Sequence, residues 1–134
     1  MQNPQSIRYV LGSAVALLVL LSGCGGHKQT VNVAQAAPGQ KVTVEMKARN
    51  FAFDPAVIVA KKGETLVLKI TDVSGEAHNI TVKDPAGKVV QEEDIPGHQT
   101  ITVEIPLTAA GVYSYYCDKP FHSTLGMKGR IEVE

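Results

Sequence analysis

From residue 41 to residue 134 apolar side chains recur at every second position, and that one pattern excludes most folds. Val42, Val44 and Met46 alternate with Thr43 and Glu45. Leu66, Leu68 and Ile70 alternate with Thr65 and Lys69, with Val67 between them. Ile101, Val103 and Ile105 alternate with Thr102 and Glu104, and Ile131 and Val133 with Glu132 and Glu134. A period of two places successive side chains on opposite faces of an extended chain, so each run reads as a strand with one face towards a core. Val57-Ile58-Val59 and Ile80-Thr81-Val82 fit two further short strands. Turn chemistry separates the runs at Lys62-Gly63-Glu64, Val73-Ser74-Gly75, Asp84-Pro85-Ala86-Gly87 and Ile95-Pro96-Gly97. No stretch carries a helical stripe of three turns. Short strands at this spacing predict an all-β fold, a Greek-key β-sandwich over residues 41–134.

The first forty residues do not share the pattern. Arg8 supplies a short basic head, Val10 to Leu21 is an apolar run, and Leu21-Ser22-Gly23-Cys24 follows at once. A membrane-spanning helix needs about 20 apolar residues, so the run has the size of a signal-peptide core instead. Its last four residues resemble a bacterial lipobox. That resemblance implies cleavage after Gly23 and acyl chains on Cys24. Residues 1–23 are therefore expected to be a lipoprotein signal peptide. Residues 24–40, small, polar and aperiodic, read as a lipidated cysteine on a flexible tether, with His27 solvated. Lysine plus arginine equals aspartate plus glutamate, 13 against 13. A neutral balance leaves no electrostatic footprint for nucleic acid.

Only two cysteines occur, Cys24 and Cys117. A lipidated Cys24 cannot pair, which leaves Cys117 as a lone thiol in an oxidising compartment. Such a thiol needs deep burial or a metal. Cys117, His122 and Met127 are each five residues apart, between a strand that ends at Cys117 and one that begins near Gly129. Parity puts Tyr113, Tyr115 and Cys117 on one face and turns Tyr116 outward. Thiolate, imidazole and thioether form a soft donor set that suits copper, and a blue-copper centre needs one more histidine. His78, just before the Ile80–Val82 strand, is the preferred candidate. His98 follows a Pro-Gly turn and reads as an exposed loop residue. Methionine is a poor zinc ligand, which disfavours zinc, and a binuclear copper centre would want a second nearby cysteine.

With these residues in place, the segment Tyr113-Ser114-Tyr115-Tyr116-Cys117, the loop returning His122 and Gly126-Met127, and the upstream pair His78-Asn79 resemble the cupredoxins, the group that contains plastocyanins, azurins and auracyanins. Phe51-Ala52-Phe53-Asp54-Pro55 resembles their early strands. The resemblance covers roughly residues 42–134. It implies a type 1 copper ion held by His78, Cys117, His122 and Met127, and a carrier of single electrons rather than an enzyme. It also implies that Asn79 hydrogen-bonds across to the cysteine loop. One departure stands out: four residues separate Cys117 from His122, as in azurin-like members, where plastocyanins usually have two.

The expected partners are redox proteins, such as cytochromes or a membrane oxidase or reductase, met by a monomer on the periplasmic or cell-surface side of a bacterial membrane. The alternative function is an extracytoplasmic copper chaperone or buffer that delivers copper to an oxidase. Such proteins usually expose methionine and histidine without a buried thiolate, so Cys117 discriminates against it. Electrons are expected to leave by the His122 edge, through an apolar collar of Pro120, Phe121 and Leu125. A second route would run by Tyr116. Glu92-Glu93-Asp94 reads as a solvated acidic loop.

Overall fold

Ten strands assemble into two facing sheets in the computed structural model, which describes residues 28–134 except Gln35 and Pro38. The signal segment, Cys24 and His27 lie outside the described residues. The larger sheet runs in the order β1 (Thr30–Asn32), β4 (Val57–Ala60), β10 (Lys128–Val133), β9 (Gly111–Tyr116), β6 (His78–Lys83) and β7 (Val89–Ile95). The smaller runs β3 (Ala52–Asp54), β2 (Lys41–Arg49), β5 (Thr65–Asp72) and β8 (Thr100–Pro106). Both sheets are mixed: β2 pairs β5 in parallel, as do β4 with β10 and β1 with β4, and the other pairings are antiparallel. The all-β sandwich expected from the alternation is present. Among the described residues no helix is long and apolar enough to cross a membrane.

The alternating residues supply the core. Val44, Met46, Leu66, Leu68, Ile70, Val103 and Ile105 come from the smaller sheet; Ile58, Ile80, Val82, Tyr113, Tyr115 and Ile131 come from the larger. Burying each large aliphatic side chain contributes about 1.5–3 kcal/mol relative to leaving it exposed. Polar residues between them face water, as the pattern of β2 shows residue by residue.

Two expectations need correction. Part of the expected tether is a strand: β1 lies parallel to β4 in register Thr30↔Val57, and Val33 N–H donates to Val59 O at 2.7 Å. Val31 and Val33 pack against the core. Three residues of alternation inside a Gln- and Ala-rich stretch are too few to register as a period, and the pairing is made by backbone groups common to every residue. The acidic run Glu92-Glu93-Asp94 is likewise a strand, the middle of β7, and not a loop. It lies at the edge of its sheet with these side chains exposed, so no buried face left an apolar imprint on the sequence.

Candidate metal centre

The site is assembled where β6 and β9 run side by side. Their antiparallel register pairs Thr81 with Tyr116 and Val82 with Tyr115. Continued two and three steps further, it brings Asn79 and His78, at the start of β6, opposite the residues that follow Cys117. Parity holds along β9: Tyr113, Tyr115 and Cys117 are all buried, and Tyr116 is half-buried. The two tyrosines anchor the strand. Tyr115 donates its hydroxyl to Pro55 O at 2.9 Å and meets Phe53 edge-on, and Tyr113 Oη accepts from Ala109 N–H. Burial raises the Tyr115 pKa, so it remains a neutral donor. Gly129 on β10 is required by that anchor, because a Cβ there would fall 2.3 Å from Tyr115 Cζ and 2.4 Å from Ala56 O.

The loop from Cys117 to Met127 is closed on itself. Cys117 N–H donates to Met127 O at 3.0 Å, which extends the β9–β10 ladder by one pair. Met127 N–H returns to His122 O at 2.9 Å, His122 N–H to Lys119 O at 3.1 Å, and Leu125 N–H to Phe121 O at 2.9 Å. Asn79 ties the loop to β6: its Oδ1 accepts from Asp118 N–H at 2.9 Å. Backbone this well satisfied leaves the side chains it carries with little freedom to rearrange.

The donors converge. His78, Cys117 and His122 each offer a ligand atom, and these atoms all lie within 4.8 Å of one another. His78 Nδ1 stands 3.2 Å from His122 Nδ1, and Cys117 Sγ 3.5 Å from His122 Nδ1. His78, Cys117 and Met127 are wholly buried, and His122 alone is partly exposed. Burial holds the His78 pKa below its ordinary value, so the ring is a neutral donor. A buried thiol, free among the described residues, facing two ring nitrogens, with a buried thioether on the same loop, is the donor chemistry of a type 1 copper ion, and the residues fit that group. His98 is exposed and takes no part, as expected.

Outside the donors, Phe121 is 77% exposed and Leu125 58%, with Pro120 exposed beside them. Phe121 therefore points to solvent. It holds φ 67°, the left-handed region that a bulky residue adopts only under constraint. Phe51, from the β2–β3 turn, is 37% exposed and meets the His122 ring edge-on with centroids 5.1 Å apart. Nothing in the sequence linked Phe51 to the site, since it lies 71 positions before His122 and the contact depends on how the sheets stack. Tyr116 is covered on one side by the Lys83 ammonium, 5.3 Å from the ring centroid. Ser74 and Asp72, behind His78, were also missed: Ser74 falls in the turn segment Val73-Ser74-Gly75, and Asp72 carries no sequence signal of its contact.

Comparison with known proteins agrees with this geometry. Residues 40–134 match the family of copper binding proteins described as plastocyanin/azurin. A chloroplastic plastocyanin of Oryza sativa subsp. indica is 31% identical over 110 residues, covering 75% of this chain and 67% of the relative. Auracyanin A, a "blue" copper protein of Chloroflexus aurantiacus, superposes with a TM-score of 0.61 at 26% identity, over 70% of this chain and 99% of that one. Reduced rusticyanin shares the fold, with a TM-score of 0.61 at 19% identity over 78% of this chain and 84% of its own.

Proposed function

The chain belongs to the plastocyanin/azurin family of copper-binding proteins, and from that premise we propose how this blue-copper electron carrier holds its metal, passes its electron and is kept in place. His78, Cys117 and His122 would be the strong ligands of the copper and Met127 a weaker one. The observation that carries this reading is the convergence of His78, Cys117 and His122 donor atoms within 4.8 Å in a buried corner of the sandwich. Bound there, copper supplies a one-electron Cu(II)/Cu(I) couple.

Everything else is done by the chain. The strands β6 and β9 and the self-bonded loop keep the donor atoms in one arrangement for both oxidation states, which limits reorganisation on electron transfer. Asn79 secures the cysteine loop by its bond to Asp118 N–H. The side chains of His78, Cys117 and Met127 are sealed from water, so no substrate can reach an open coordination position through them. His122 reaches the surface inside an apolar rim of Pro120, Phe121, Leu125 and Phe51. A small apolar patch suits a redox encounter that must form and break quickly. Tyr116, capped by Lys83, is the lesser exit. The partners are redox proteins, cytochromes or a membrane oxidase or reductase. Acyl chains on Cys24 hold the protein at the outer face of a bacterial membrane, and residues 1–23 are the signal that directs it there.

An absorption and EPR spectrum of the protein loaded with Cu(II) tests the assignment. The expected result is one copper per chain with an intense thiolate-to-copper band, lost in Cys117→Ser with the fold intact. Equal binding of zinc with no blue colour would overturn it.

A further inference from the structure

Behind the ligand imidazoles lies a second polar cluster that the donor set does not use. Asp72, the last residue of β5, is buried with its side chain fully covered. Its carboxylate accepts from Ser74 N–H at 3.2 Å, the Ser74 hydroxyl at 2.7 Å, Gly75 N–H at 2.7 Å and His98 N–H at 2.8 Å. An ionised carboxylate only accepts, so the single hydroxyl proton of Ser74 is committed to Asp72. Ser74 Oγ also lies 2.9 Å from His78 Nε2. With its proton turned to Asp72, that oxygen accepts, and Nε2 must carry the ring proton. The lone pair is then left on Nδ1, the nitrogen that faces His122.

The cluster is built by two interlocked loops, 73–77 and 96–99. A Cβ on Gly97 would fall 2.2 Å from Gly75 O, and one on Gly75, at φ 84°, would fall 2.6 Å from His98 Nε2. His98 itself holds φ 58°. Such backbone persists only where the surroundings over-determine it, and here it aims N–H groups from both loops at one carboxylate. Burial works against the Asp72 charge, and the four hydrogen bonds donated by Ser74, Gly75 and His98 offset that cost.

We propose that Asp72, acting through Ser74, is a positioning residue that locks His78 in the Nε2–H tautomer, and that its fixed charge holds the centre towards Cu(II). A negative charge behind a ligand favours the more positive oxidation state and raises the basicity of the imidazole it contacts. The second half rests on the reading of the site as a copper centre. The first concerns the chain alone.

Two variants separate the parts. Asp72→Asn removes the charge but keeps an acceptor for the Ser74 hydroxyl; Ser74→Ala removes the relay and keeps the charge. In the copper-free full chain, nitrogen-15 NMR of the imidazoles should show His78 as Nε2–H. Ser74→Ala should speed solvent exchange of that proton at least about tenfold. In the copper-loaded protein, redox titration of Asp72→Asn should shift the equilibrium towards Cu(I) about tenfold, which is about 59 mV for one electron, and Ser74→Ala should shift it less. An Nδ1–H tautomer in the wild type, or unchanged exchange in Ser74→Ala, overturns the positioning role. A redox equilibrium within about twofold of wild type in Asp72→Asn overturns the charge role; if that variant does not fold, Asp72→Ser, which also removes the charge, replaces it with the same expected and overturning results. A wild type that takes up copper without a blue band sinks the copper reading instead, and leaves the tautomer measurement to decide the rest.

Discussion

His78 Nδ1 and His122 Nδ1 face each other across 3.2 Å although 44 positions separate the two residues in the chain. Two ring nitrogens so close share one proton in the copper-free protein. With His78 accepting, His122 is the donor; a metal taking that nitrogen would shift the His122 proton to Nε2, and the proton released to solvent would be that of the Cys117 thiol. Copper uptake is therefore expected to release a proton and to weaken as pH falls. Calorimetry in two buffers of different ionisation heat measures the number released; a value of zero at neutral pH would contradict the arrangement.

Met127→Leu should keep copper bound and raise the reduction potential, because a weak donor to Cu(II) is lost and Cu(I) gains relative to it. The blue band should survive. Loss of copper in this variant would show that Met127 is a principal ligand rather than an axial one.

Acid should destabilise the copper-free fold in two stages, and the sign is the same for both. Burial lowers the His78 pKa below 6.5, so beneath that value the unfolded chain binds a proton the folded one refuses, and stability falls as pH drops. Asp72 is depressed from 3.8 to about 2, so its contribution is present above 3.8 and is lost as pH falls through 2. Denaturant midpoints measured from pH 7 to pH 2 should decline throughout. A flat profile from pH 7 to pH 5 would remove the His78 part.

Phe121→Glu puts a charge into the apolar rim without touching a donor atom. Electron transfer to a partner cytochrome is expected to slow about tenfold, as for a desolvated contact that has gained a charge, while spectrum and potential hold. Tyr116→Leu should matter less. The reverse ranking in stopped-flow kinetics would move the docking face to Tyr116.

Cys24→Ala should release the protein from membranes with its spectrum unchanged. Fractionation and mass spectrometry of the mature protein check this together, and an unmodified Cys24 would falsify the anchor.

Local pattern carried a large part of this protein. Alternation alone marked β2, β5, β8 and β10, because one face of each is buried and a buried face filters side chains at every second position. Spacing within one hairpin marked Cys117, His122 and Met127, because the short loop from 117 to 127 between two paired strands must stay at one end of the sandwich. The strand β7 was missed for the converse reason: its exposed acidic residues answer to solvent on both sides.

The sequence by itself determined the sheet-forming segments with one buried face, the choice of copper-compatible donors and the side of β9 from which Cys117 points. All of these follow from the period of an extended backbone or from distance along a single loop. Only the tertiary structure decided that Phe51 meets His122, that β1 joins the edge of the larger sheet, and that Asp72 and Ser74 stand behind His78. Those relationships depend on which loops the stacking of two sheets brings together, and residues far apart in the chain leave no periodic or spacing signal of such a meeting.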